Sequence, residues 1–128
     1  MSAYLLDSCA VVWLANGDKR LPATVRKSLA TADELYVSPI SAWEISRKAI
    51  NGTLILPESA RTVWKKLVET YHLKVLPVTP EISFVATELP EIHKDPADRL
   101  IIATAKVGHL AVVTSDHRFH QYGVEVVP

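Results

Sequence analysis

Asp95-Pro96-Ala97-Asp98-Arg99-Leu100-Ile101-Ile102-Ala103-Thr104-Ala105-Lys106-Val107-Gly108 and, just behind it, Ala111-Val112-Val113-Thr114-Ser115-Asp116 decide the fold class. The first run predicts a helix. Asp95 is a capping residue, Pro96 suits the first helical position, apolar residues crowd Leu100 to Val107, and Gly108 stops it. The second run is a strand, Ala111 to Thr114, apolar without alternation and followed by an acid. A strand that is apolar on both faces belongs in a parallel sheet covered on both sides by helices.

The same alternation extends in both directions. Upstream, Tyr4-Leu5-Leu6 predicts a short strand, followed by a helix from about Cys9 to Ala15 with a stop at Asn16-Gly17. Pro22 opens a second helix running to about Ala32, and Leu35-Tyr36-Val37 predicts a second strand. A helix starts in Ser38-Pro39-Ile40-Ser41-Ala42-Trp43-Glu44-Ile45 and ends near Asn51-Gly52. Pro57 opens another, with Val63, Trp64, Leu67 and Val68 at helical spacing. Val75-Leu76-Pro77-Val78 predicts a third strand, placed at a sheet edge by its proline. Residues 80 to 89 read as helical, and Pro90 to Lys94 as a loop. Val124 to Val127 is a fifth strand. The expected fold is α/β: one domain spanning residues 1–128, a three-layer α/β/α sandwich around a short, mainly parallel sheet.

Composition sets limits on partners. The chain has 128 residues, 48% of them apolar and 22% charged, which is ordinary globular usage. Its 14 basic and 14 acidic residues give no net charge, so the overall balance lacks the basic footprint of a nucleic-acid binder. Setting aside four acids for a metal leaves 14 basic against 10 acidic, an excess of +4, which permits RNA binding without indicating it. The single cysteine, Cys9, excludes an internal disulfide and fits a reducing compartment. Ala3-Tyr4-Leu5-Leu6 is broken by Asp7 with no basic residue before it, a poor signal peptide, and no apolar stretch approaches the roughly 20 residues of a membrane span. The expectation is a cytoplasmic protein with no membrane partner.

Four acids stand at the edges of apolar segments. Asp7 and Asp116 come just after strands; Glu44 and Asp98 lie in the first turns of helices. In open parallel sheets the strand carboxyl ends and the helix starts beyond them form the ligand crevice, so one crevice is placed to gather all four. Two unit charges about 4 Å apart repel by on the order of 4 kcal/mol at an effective dielectric near 20. Such a set takes up protons or is neutralised by a cation. Oxygen-only ligands favour Mg²⁺ or Mn²⁺, which activates water and stabilises the charge on a phosphodiester under attack.

Each acid also has a purely structural reading. Ser41-Ala42-Trp43-Glu44 matches a capping box with Ser41 as N-cap, Asp95 caps the helix that carries Asp98, and Asp7 and Asp116 are placed to cap the elements after them. Taken singly, capping is the commoner role. Cys9 reads as a small buried apolar residue rather than a nucleophile. His117 and His120 read as surface histidines, and Trp13, Trp43 and Trp64 as core rather than base-stacking residues. Arg47 and Lys48, one turn beyond Glu44, are candidate contacts to substrate phosphate.

Leu5-Leu6-Asp7-Ser8, Ser41-Ala42-Trp43-Glu44-Ile45, Asp95-Pro96-Ala97-Asp98-Arg99-Leu100-Ile101-Ile102-Ala103-Thr104-Ala105 and Val113-Thr114-Ser115-Asp116 resemble, in order and spacing, the PIN domains, and among them the VapC toxins of bacterial type II toxin–antitoxin systems. The resemblance covers nearly the whole chain, and the Asp-Pro-x-Asp-Arg block is its most specific part. It implies a Mg²⁺- or Mn²⁺-dependent endoribonuclease that cuts structured RNA such as tRNA or rRNA. It implies metal ligation at Asp7 and Asp98 with support from Glu44 and Asp116, and hydroxyls near the site at Ser8 and Thr114 or Ser115. It further implies a homodimer neutralised by a VapB-like antitoxin. Cys9 departs from the asparagine or histidine common at its place, and Asp95 is either an extra carboxylate behind the site or only a cap. Two other readings compete. One is a catalytically silent PIN-like binding module. The other is a receiver-type phosphoacceptor domain, disfavoured because Val75-Leu76-Pro77-Val78 is followed by Thr79-Pro80 with no acid.

Overall fold

In the computed structural model, which describes residues 2–127, five strands form one sheet in the order β3-β2-β1-β4-β5, and every neighbouring pair is parallel. The strands are β1 (Ala3–Leu6), β2 (Glu34–Val37), β3 (Lys74–Val75), β4 (Ala111–Val113) and β5 (Val126–Val127). The helices are α1 (Ser8–Asn16), α2 (Ala23–Thr31), α3 (Pro39–Ile50), α4 (Ala60–Tyr71), α5 (Pro80–Glu88) and α6 (Pro96–Gly108), with a short 3₁₀ helix at His117–Tyr122.

The sheet is buried on both faces because its strands are apolar on both. Leu6, Val37 and Val113 pack into a core with α1, α2, α4 and Ile45 of α3. Leu5 and Val112, one residue out of phase, pack into a second core with α5, α6 and Phe119. This is the expected three-layer α/β/α sandwich. Chain order runs outward from β1 through β2 to β3, then jumps back across to β4 and β5. The order of strand addition therefore reverses between the parallel neighbours β1 and β4, where Leu5 faces Val112 and Leu6 faces Val113. A crevice forms past the carboxyl ends of strands at such a reversal.

Several boundaries differ from the sequence expectation. The helix carrying Glu44 begins at Pro39, not near Ser41: Ser38 is its N-cap and accepts a bond from the Ile40 N–H, with Pro39 at the first helical position. The Ser41–Glu44 capping box is therefore not formed. The fourth helix starts at Ala60 rather than Pro57, because the Ser59 hydroxyl caps it through the Thr62 N–H. Pro22 is an N-cap rather than the first helical residue. The third strand is an edge strand as expected, but it covers only Lys74–Val75, and the fifth is likewise two residues long. Helix α6 ends through His109, which takes the left-handed conformation (φ 53°) instead of Gly108.

Two burial expectations are corrected. Cys9 is exposed, since α1 turns Ser8, Ala10, Val11 and Leu14 inward. Trp43 is 57% exposed, because α3 buries the face of Ser41, Glu44 and Ile45 and leaves Trp43 on its other flank. Trp13 and Trp64 are half-buried against the first core, as expected. No helix among the described residues is long and apolar enough to cross a membrane.

Candidate active site

Asp7 leaves β1 at the sheet reversal, and its backbone N–H still donates to Val113 of β4 (3.1 Å). Its Oδ1 accepts from the Ala10 N–H (2.8 Å), so it caps α1. Only 4% of Asp7 is exposed. Burial pushes its carboxyl up to about 6, and the charges of Glu44 and Asp116 push the same way, against bonds from the Thr114 hydroxyl and the Ala10 N–H. The residue is a cap and part of an acid cluster at once.

Glu44 reaches the same crevice from the second turn of α3. It is buried, its Oε1 accepts from the Ser8 hydroxyl (2.6 Å), and Ser8 Oγ lies 3.0 Å from Ser41 Oγ. Lys48, one turn on, places Nζ 4.0 Å from Glu44 Oε2, while Arg47 lies 5.1 Å above the exposed Trp43 ring. Lys48 thus faces the acids and Arg47 faces solvent beside them.

Asp98 projects from the first turn of α6, whose cap is Asp95, accepting from the Ala97 N–H (2.9 Å). Asp98 is half-buried. Burial drives its carboxyl up to about 7; Asp95, Glu44 and Asp7 add to the rise and His93 opposes it. The opposite holds at Asp116, which the Arg118 side chain keeps down at about 2. Arg118 forks onto both of its oxygens (3.0 and 2.8 Å), the Arg118 N–H adds a capping bond, and His93 Nε2 lies 3.0 Å from Oδ2. Thr114 Oγ1 accepts the Asp116 N–H, and Ser115 is exposed at the crevice rim.

The structure therefore brings Asp7, Glu44, Asp98 and Asp116 into one crevice from four separate elements: the charges of Glu44 and Asp116 act on Asp7, and those of Glu44 and Asp7 act on Asp98. Asp116 has its countercharge within the protein. Among the described residues Asp7 has none and Asp98 has only the His93 ring 3.0 Å away; both are pushed towards the protonated form, which is what oxygen ligands prepared for a hard cation show in its absence. The donor set fits Mg²⁺ or Mn²⁺, with Asp7 and Asp98 the residues that would hold it.

Sequence reading missed three residues. His93, in what read as a plain loop, is 3% exposed, and its Nε2 lies 3.0 Å from both Asp98 and Asp116. Among the described residues, these three bring ligand-capable atoms within 4.8 Å of one another. Arg99 donates to the carbonyls of Pro90, His93, Ala86 and Leu89 (2.8–3.1 Å) and so binds the end of α5 and the 90–93 loop to α6. Arg118 neutralises Asp116. Only adjacency to the acids signalled any of them, since their partners are set by tertiary packing. His117 and His120 are exposed as expected and line a cleft of about 340 Å³ that runs from Asp116 past Trp13 and Arg20.

Known proteins agree with this architecture. The PIN-domain family profile matches residues 4–125. Ribonuclease VapC22 of Mycobacterium tuberculosis is 32% identical over 123 residues, covering 95% of this chain and 93% of that protein. Among solved structures, VapBC2 from Rickettsia felis bound to a promoter DNA fragment superposes with a TM-score of 0.74 at 16% identity, covering 98% of this chain and 97% of the other. The M. tuberculosis VapC20 toxin, described as cleaving the sarcin–ricin loop, gives 0.73 at 18% identity, covering 98% and 99%. These two show the shared fold; the family profile and the VapC22 match go further, and the chain belongs to the PIN-domain family, among its VapC-type members.

Proposed function

We propose that the protein is a Mg²⁺- or Mn²⁺-dependent endoribonuclease toxin of a VapBC-type system, acting on structured RNA such as tRNA or rRNA. The observation that carries this is the meeting of Asp7, Glu44, Asp98 and Asp116 where the strand order reverses, with Asp7 and Asp98 both pushed towards the protonated form. Membership with VapC22, whose name records a ribonuclease, supports the reaction class.

When bound, the cation supplies an activated water and stabilises charge on the scissile phosphate. The chain's own residues divide the remaining work. Asp7 and Asp98 would hold the cation. Asp116, locked in its charged form by Arg118, is a poor proton acceptor, so orienting and deprotonating water falls to Glu44, whose carboxylate Ser8 fixes. Lys48 beside Glu44, and Arg47 on the exposed flank, meet substrate phosphates. The cleft past Trp13 and Arg20 gives the RNA strand room next to the acids.

The same reading makes a VapB-like antitoxin the neutralising partner, a homodimer the assembly and the cytoplasm the compartment. Purified protein should cut a tRNA–rRNA mixture in Mg²⁺ or Mn²⁺ but not in EDTA, and Asp98→Asn should abolish cutting with the fold retained. Undiminished cutting by Asp98→Asn would refute the mechanism. A folded wild type that cuts nothing and takes up no Mn²⁺ would leave the silent binding module in its place.

A further inference from the structure

His93 is clamped on every side. Its backbone N–H donates to the Tyr122 hydroxyl (2.6 Å), which in turn donates to the Pro90 carbonyl (2.9 Å). Its carbonyl accepts from Arg99 (3.1 Å). Its ring stands edge-on to Phe119, with centroids 6.0 Å apart and planes at 76°. With the ring plane fixed, the two nitrogens have fixed and different surroundings.

Nδ1 faces the Asp95 N–H, which donates to it at 3.3 Å. A nitrogen that accepts an N–H bond carries no proton, so in the neutral ring the proton sits on Nε2. Nε2 is the atom 3.0 Å from both Asp98 Oδ2 and Asp116 Oδ2. A protonated ring nitrogen has no lone pair to offer a cation.

We propose that His93 is a positioning residue rather than a metal ligand: its Nε2–H donates to Asp116 Oδ2 and, standing 3.0 Å from Asp98 Oδ2, sets the separation of the two carboxylates. It links the first turn of α6 to the segment after β4, two elements that approach only in the folded chain. Donors of this kind behind metal-binding carboxylates typically change metal affinity or activity by about 10–100-fold. The inference rests on the proposed nuclease reading only in taking these aspartates as part of its acid set.

Two substitutions separate a donor from a ligand or a mere space-filler. Glutamine places its N–H near the position of Nε2, whereas asparagine reaches only to the position of Nδ1. Both lose the ring and the Nδ1 acceptor. Mn²⁺ binding to the full chain, measured by calorimetry, should weaken about 10–100-fold in His93→Asn and be largely restored in His93→Gln. RNA cleavage should keep the same order. Long-range ¹H–¹⁵N spectra of the metal-free wild type should show the His93 proton on Nε2.

Equal loss of Mn²⁺ binding in both variants overturns the proposal, and so does a proton found on Nδ1. A wild type that binds Mn²⁺ but cuts no RNA would sink the nuclease reading instead, while the Mn²⁺ and ring-proton results would still decide the role of His93.

Discussion

Replacing Asp7 with asparagine should destroy cleavage and yet make the metal-free protein more stable. The buried carboxyl titrates at about 6, against 3.8 for a free aspartate. At about 1.4 kcal/mol per pH unit, keeping it charged in the native state costs about 3 kcal/mol at pH 8. Between about pH 4 and pH 6 the native state binds more protons than the unfolded chain, so stability falls as pH rises through that window and stays low above it. Near pH 4.5 the cost is only about 1 kcal/mol. Asparagine has nearly the same shape, never ionises, and can still accept the Ala10 N–H as a cap. For a chain of this length, about 3 kcal/mol corresponds to a rise in melting midpoint on the order of 10 °C. Thermal unfolding of wild type and Asp7→Asn in EDTA should therefore show a large gain at pH 8 that shrinks to about a third near pH 4.5. Saturating Mn²⁺ should raise the wild type by mass action and barely move the variant. An equal gain at both pH values, or a lower midpoint at pH 8, would refute the reasoning.

Two neighbouring arginines carry further expectations. Arg99→Ala removes a guanidinium that serves four carbonyls, so stability should drop by about 3 kcal/mol in urea titration; Arg99→Lys should recover less than half, because an ammonium cannot span the same fork. Arg47→Ala should leave the melting midpoint within about 1 °C. In Ca²⁺ it should lower the slope of log affinity for single-stranded RNA against log salt by about 0.7, one phosphate contact, and an unchanged slope would remove Arg47 from the interface.

The layered fold was legible because its signals are local. Unbroken apolar runs such as Ala111-Val112-Val113 force burial on both faces, and Asn16-Gly17 and Asp95-Pro96 mark helix ends whatever surrounds them. The four acids were legible through a similar rule, that acids at the ends of apolar segments gather where a parallel sheet reverses. Their surroundings were not. Ser38 rather than Ser41 caps α3 because Pro39 favours the earlier start, a choice between two adequate caps that pattern alone leaves open. His93, Arg99 and Arg118 owe their roles to partners on other elements or to which oxygen a fork happens to meet, and spacing carries no record of that.

The junction of β1 with β4 has a consequence for timing. Leu6 meets Val113, and Asp7 faces the segment leading to Asp116, although these partners stand more than a hundred positions apart. A polypeptide still emerging from the ribosome owns Asp7 and Glu44 of the proposed centre long before Asp98 and Asp116 exist. On the proposed reading, a nascent chain that stops short of Asp98 and Asp116 cannot assemble the acid set, so any cutting waits until the segment carrying both has been made and has met β1.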